Sequence, residues 1–321
     1  MRTRRLGRSG LTVSVVGLGC NNFGARIGRE QTAAVVHSAL DCGVTLFDTA
    51  DIYGSPHGTS ELLLGQALGG RREEVVLATK VGKDMEGVAG PDWGARGSRR
   101  YIRSAVEACL RRLGTDRIDL LQLHEPDPVT PIDETLSALD DLVRAGKVCY
   151  LGSSQFAGWQ VTEAAWAARA GAATPLVGTQ AKYSVIDRQA EKELIPACLA
   201  AGVGLLPFFP LESGLLTGKY RRGQVAPAGS RLASPGFAAF LDRAPWDVVE
   251  AVEAFAQERG RSLLDVAVGA LAAKPAVSSV IAGATTPEQV RANVAAGLWE
   301  PSTADAEQLD LITGGPAHER R

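Results

Sequence analysis

The sequence predicts a (β/α)8 barrel, the TIM-barrel form of an α/β fold, with an N-terminal β-hairpin and a long loop after the seventh strand. Eight short apolar runs recur along the chain, at 13–19, 45–49, 75–80, 118–124, 148–154, 176–183, 203–209 and 277–283. Segments with helical spacing lie between them, and the alternation occupies roughly 300 residues, the span and strand count of such a barrel. The runs are almost continuously apolar, as strands covered on both faces must be. A doubly wound parallel sheet is the competing arrangement.

The segment 2–14 (RTRRLGRSGLTVS) reads as a hairpin closing the bottom of the barrel. Helical periodicity follows at 30–43, 98–114 and 131–147, and several of these helices end at a glycine, where a left-handed residue stops the helix. The connection from Leu211 to about Ala244 is unusually long and rich in Gly, Pro and Ser. Long connections in compact folds are usually functional or disordered, and this one follows the seventh strand, so it should hang over the C-terminal mouth. A tail follows Glu300. No linker divides the chain, which reads as a single domain over residues 1–321.

A formal net charge of −2 gives no electrostatic case for nucleic acid or an anionic membrane. The five cysteines (Cys20, Cys42, Cys109, Cys149, Cys198) include no CxxC pair, and their odd, dispersed count suits reduced thiols better than a disulfide framework. None of the four histidines stands at ligand spacing from another or from a cysteine, so no metal site is expected. The apolar run behind the N-terminal arginines is short, contains Gly17 and Gly19 and leads into polar NNFG; it reads as a strand and not as a cleaved signal. No apolar stretch is long enough to span a bilayer, and a cytoplasmic location is expected.

In a barrel, chemistry gathers at the C-terminal ends of the strands. Those ends carry Asp48 and Tyr53 after the second strand, Lys80 on the third and His124 on the fourth. Each has a plain alternative: a strand-end lysine is usually a solvated charge, and a lone histidine is more often structural. Four such groups on three successive strand ends form one chemical unit. A phenol titrates near ~10, too weak an acid at neutral pH unless its anion is favoured. A neighbouring ammonium favours that anion, and a carboxylate keeps the ammonium charged. A histidine donating to a carbonyl oxygen would orient and polarise a substrate. The set suits carbonyl reduction, with Tyr53 giving the proton and a hydride arriving from elsewhere.

LFDTADIYG (46–54), LATKVG (77–82) and LLQLH (120–124) resemble the signature segments of the aldo-keto reductase family, in the branch of bacterial reductases and potassium-channel β subunits. The resemblance runs nearly the whole chain and implies the barrel fold, with Asp48, Tyr53, Lys80 and His124 as a complete catalytic tetrad. It implies NADPH, with NADH possible, bound across the mouth without a Rossmann domain; GLGCNNFG fails the GxGxxG spacing. By the same resemblance Ser154, Gln155 and Gln180 meet the nicotinamide carboxamide and Phe208 stacks on its ring, where a flat face suffices. Gly19, Cys20 and Asp48 fall on the floor of the cofactor site, and Pro210, Leu211, Ser213 and Lys219 in the pyrophosphate-covering loop. Gly283, Thr285, Gln289 and Asn293 fall at the last strand-to-helix turn, where a helix N-terminus favours an anion. That turn departs from members carrying a lysine and an arginine where Gly283 and Gln289 stand, and Ala292 replaces a glutamate that often contacts adenine. Arg231 in the long loop matches a basic residue near the phosphate and compensates.

Asn21, Phe23, Ile52 and Trp93 lie on mouth loops as candidate substrate-pocket residues. His37 and His318 are not site candidates; His57 lies in a loop near Tyr53, within approach of a substrate, but reads first as a surface residue, and the arginine pairs at 71–72, 99–100 and 111–112 read as solvated helix faces. The leading expectation is an NADPH-dependent reductase of aldehydes or ketones. The alternatives are an NAD(P)-dependent dehydrogenase oxidising a sugar or alcohol, and an NADPH-binding redox-sensing regulatory subunit. His124 argues against the last, since channel β subunits carry another residue there. The partner expected is a small-molecule carbonyl or alcohol; the composition marks no oligomer interface.

Overall fold

The computed structural model describes residues 1–88 and 90–314; His318 lies outside them. Strands β1 (Thr3–Arg5) and β2 (Thr12–Ser14) pair antiparallel as the hairpin. Eight parallel strands follow: β3 (Val16–Gly19), β4 (Leu46–Asp48), β5 (Val76–Val81), β6 (Ile118–Leu123), β7 (Val148–Ser154), β8 (Leu176–Lys182), β9 (Gly204–Phe208) and β10 (Val280–Gly283), in the order β10-β3-β4-β5-β6-β7-β8-β9. The two ends of this sheet meet through a parallel bridge between Leu205 and Val277. There the Leu205 N–H donates to Ala276 (2.8 Å) and the Ser278 N–H to Leu205 (2.9 Å). An open doubly wound sheet has no such closure; the fold is the barrel.

Two of the expected strands are divided. The run 13–19 breaks at Val15, leaving Val13 and Ser14 in the hairpin and Val16–Gly19 in the barrel. Ser14 makes this transfer possible, because its hydroxyl donates to the Val16 carbonyl (2.7 Å) and accepts the Thr45 N–H (3.0 Å) where the ladder is interrupted. The run 277–283 becomes regular strand only at Val280, since its first residues are spent on the closing bridge.

The hairpin closes the barrel floor. Leu6 and Val13 are fully buried with Leu46, Ala78, Leu120, Leu206 and Ile281 in a small cluster inside the strands. Leu6 fits because Gly178 offers no side chain there; a Cβ at Gly178 would stand 3.0 Å from Leu6 Cδ1. Outside, the helices bury one stripe each. Helix Arg99–Leu113 turns Ile102, Ala105, Val106, Cys109 and Leu113 inward at helical spacing, is capped by the Ser98 side chain and ends at left-handed Gly114.

The strict one-strand, one-helix alternation fails after β9. Two helices, Trp246–Glu258 and Leu263–Ala273, follow it, preceded by the long connection. That connection is not irregular throughout: it holds turns of 3-10 helix at Glu212–Thr217, Arg231–Ala233 and Pro235–Phe237 and a short helix at Ala238–Asp242. It is anchored by Leu215, Leu216 and Leu232 in the core and by buried Glu212, which accepts the Ser184 hydroxyl (2.7 Å) and pairs with Lys182 (3.2 Å). The tail after Glu300 also orders, as helix Thr303–Thr313. Ser302 and Asp305 cap it reciprocally, and Asp305 takes the Arg259 guanidinium at 2.6 Å. Among the described residues no helix is long and apolar enough to cross a membrane.

Candidate active site

Parallel register sets the site. Asp48 lies beside Ala78, and Lys80 beside Gln122, on neighbouring strand ends. After β4 the chain keeps riding on β5: the Thr49 N–H donates to Ala78 (2.9 Å) and the Asp51 N–H to Lys80 (3.1 Å). This carries Tyr53 out at the level of Lys80. The Lys80 ammonium donates to Asp48 Oδ2 at 2.6 Å and to the Thr49 carbonyl at 2.9 Å, and lies 5.1 Å from the Tyr53 ring centre. The His124 ring meets Tyr53 edge to face, 5.7 Å between centres. Asp48 Oδ1 accepts from the Gln122 and Gln180 amides at 3.1 and 2.5 Å, so the carboxylate is held by three side chains.

Lys80 is 1 % exposed. Burial opposes its charge, but the Asp48 carboxylate and Tyr53 outweigh it and its pKa is raised. The Tyr53 pKa also moves up: burial dominates, with Lys80 pulling the other way. This reverses the sign expected from the sequence, where proximity to the ammonium was to favour the phenolate; desolvation of the anion is the larger effect here. Burial, then the fields of Lys80 and Lys83, push the His124 pKa down to about 2, so the imidazole is neutral.

These groups open into a cavity of about 580 Å³ at the barrel mouth, within the range of small-molecule sites. Every residue expected at the cofactor lines it: Gly19, Cys20 and Asp48; Ser154, Gln155, Gln180 and Phe208; Pro210, Leu211, Ser213, Lys219 and Arg231; and Gly283, Thr285, Gln289 and Asn293. Gln180 spends its amide N–H on Asp48 and Gln155 its own on the His124 carbonyl (3.0 Å), which leaves both amide oxygens as acceptors. Left-handed backbone at Phe209, Glu212 and Ser213 bends the long loop back over this space.

Arg26, Lys219 and Arg231 also line the cavity, and among the described residues none of them has an ion-pair partner. Arg231 lies 5.8 and 5.6 Å from the Phe209 and Phe237 rings, and burial, then Arg26, lowers its pKa. Arg231 is half-buried while Arg26 and Lys219 are exposed, and cations gathered at one cavity without a carboxylate partner suit a polyanion such as a dinucleotide's phosphates. At the last turn Gln289 Oε1 accepts the Thr285 N–H (2.8 Å), and Thr286 caps the helix Pro287–Ala296, so that end is neutral and internally satisfied.

Of the candidate pocket residues only Asn21 lines the cavity. Phe23 is fully buried in the main core, because the chain turns at Cys20 (Phe23 N–H to Cys20 carbonyl, 3.1 Å) and sends the ring inward. Ile52 stands outside the lining, its carbonyl accepting from His57 Nδ1 at 2.9 Å. Trp93 is also outside, 69 % exposed, with the Arg100 guanidinium over its ring at 4.4 Å. Two arginines expected on solvated faces are partners of shielded acids instead: Arg72 pairs with partly buried Asp119 at 2.8 Å, and Arg112 with fully buried Glu61 at 2.6 Å.

Sequence reasoning missed Gln122, Arg26, Lys83 and Asp51. Gln122 had a signal: it stands two residues before His124 on one strand, hence on the same face. Arg26 and Lys83 are loop cations whose direction no periodicity fixes. Asp51 is 1 % exposed, and burial, then the Glu61 carboxylate, push its pKa up to about 8.

The family model for aldo/keto reductases matches residues 15–313. The chain belongs to that family. It is 39 % identical to the uncharacterized oxidoreductase YrpG of Bacillus subtilis, over 98 % of this chain and 96 % of that one. It is 36 % identical to a probable voltage-gated potassium channel subunit beta of Oryza sativa (92 % and 91 % covered) and 34 % to L-glyceraldehyde 3-phosphate reductase of Escherichia coli K12 (97 % and 92 %). This aldo-keto reductase is an NAD(P)H-dependent oxidoreductase of carbonyl groups.

Proposed function

We propose that this aldo-keto reductase uses NADPH to reduce aldehydes or ketones to alcohols, with Tyr53 as general acid. The observation that carries the reading is the buried relay: a protonated phenol at the cavity, an ammonium beneath it at 5.1 Å from the ring, and a carboxylate 2.6 Å from that ammonium. Reduced nicotinamide, when bound, supplies the hydride. Tyr53 gives its proton to the developing alkoxide, and Lys80 stabilises the phenolate left behind. Asp48 keeps Lys80 charged against burial. Neutral His124 donates a hydrogen bond to the carbonyl oxygen and so favours negative charge there.

Ser154, Gln155 and Gln180 hold the carboxamide, Phe208 the ring face, residues 210–219 the pyrophosphate, and Arg231 the 2′-phosphate beside Thr285, Gln289 and Asn293. The neutral turn at Gln289 keeps a second reading in view, an NAD-dependent dehydrogenase working oxidatively. A cytoplasmic setting agrees with five free cysteines. Fluorescence titration with NADPH and NADH separates the two readings. Binding of NADPH about tenfold tighter or more supports the reductase, that factor corresponding to about 1.4 kcal/mol; equal or tighter NADH binding moves the assignment to the dehydrogenase.

A further inference from the structure

Among the described residues five cations line the cavity (Arg26, Lys80, Lys83, Lys219 and Arg231) against a single carboxylate, Asp48. Lys80 is consumed by Asp48. Arg26 reaches the loop at the Gly229 carbonyl (3.4 Å) and faces Arg231, so these two, with Lys219 of the same loop, belong to the side that the long connection covers. Lys83 stands apart from them. It follows β5 by two residues, beside the end of the adjacent strand β6, where the His124 N–H donates to the Val81 carbonyl at 2.8 Å.

The Lys83 backbone is pinned, because its carbonyl accepts from the hydroxyl of buried Tyr101 at 3.1 Å. Its ammonium is not: among the described residues it has one partner, Glu125 at 3.5 Å, a loose and half-exposed ion pair with no hydrogen bond. Its N–H donors are thus open to a ligand in competition with Glu125, on the histidine side of the cavity and away from the cations of the long loop.

We propose that Lys83 is a substrate-anion contact, and that the enzyme favours small carbonyl compounds carrying an anionic group beyond the reacting carbon. The assignment rests on the reductase reading above. With the carbonyl between Tyr53 and His124, the remainder of the substrate lies toward Lys83, and an anionic end gains a charge-assisted hydrogen bond that a neutral isostere lacks. Glu125 competes for the same ammonium and limits the gain.

The test compares 4-carboxybenzaldehyde with methyl 4-formylbenzoate, an acid and its neutral ester, by kcat/KM with saturating NADPH. The wild type prefers the acid, the preference shrinks as salt is raised, and Lys83→Met lowers the acid-to-ester ratio about tenfold, the effect of one charged hydrogen bond. Glu125→Gln raises the ratio. An unchanged ratio in Lys83→Met, or equal loss of both substrates, overturns the assignment, since Lys83 then either does nothing or serves the chemistry. Failure of the wild type to reduce either aldehyde refutes the reductase reading itself, and the assignment with it.

Discussion

Asp51 lies two residues from Tyr53, sealed from water, and neither carboxylate oxygen has a hydrogen-bond partner among the described residues. The nearest cation, Arg112, is committed to Glu61 at 2.6 Å, and Glu61 itself opposes ionisation of Asp51. The group therefore stays protonated in the folded chain up to about pH 8, while in the unfolded chain it ionises near the ordinary carboxyl value of 3.8. Between these limits the native state binds one proton more than the unfolded state, so stability falls as pH rises. One proton changes the unfolding free energy by about 1.4 kcal/mol per pH unit. Asp51→Asn keeps the shape and removes the titration. In urea denaturation, its stability relative to wild type should rise by about 2.7 kcal/mol between pH 5 and 7 and level off above pH 8. A difference that does not change with pH would show the opposite: Asp51 ionised in the fold, with Arg112 shared between two carboxylates.

Three further outcomes are expected. Arg231→Leu weakens NADPH about tenfold and NADH much less in fluorescence titration, since it removes a contact to phosphate worth about 1.4 kcal/mol. Asp48→Asn lowers kcat/KM about 10²-fold or more; without its counter-ion burial lowers the Lys80 pKa, so the alkaline limb of the pH–rate profile moves to lower pH. Gly65→Ala lowers the thermal midpoint although alanine favours a helix by about 1 kcal/mol. A Cβ at Gly65, on helix Thr59–Leu68, meets the Leu113 carbonyl of the neighbouring helix, and overpacking of that kind costs about 1–3 kcal/mol.

What could be read in the sequence was what depends on strand periodicity and strand ends. Asp48, Lys80 and His124 stand where β4, β5 and β6 finish, and a barrel brings such ends to one mouth whatever the loops do. Residues set by loop direction were harder. Phe23, Ile52 and Trp93 sit on loops at the mouth, yet one local turn sends Phe23 into the core and Trp93 faces solvent. The break at Val15 was hidden because both halves of the run are apolar and only the Ser14 hydrogen bonds show where the chain changes sheets. The sign of the Tyr53 shift depended on burial against charge, and spacing alone carries no measure of burial.

Reduction by this enzyme is hydride transfer to a carbonyl carbon with Tyr53 supplying the proton, as proposed above. Its most direct test is reduction of 4-carboxybenzaldehyde with NADPH deuterated at the transferring position, by wild type and by Tyr53→Phe, with the alcohol read by mass spectrometry. The expected result is one deuterium on the former carbonyl carbon, and a rate about 10²–10⁴-fold lower in the variant. Unlabelled alcohol, or a Tyr53→Phe rate equal to wild type, would contradict it.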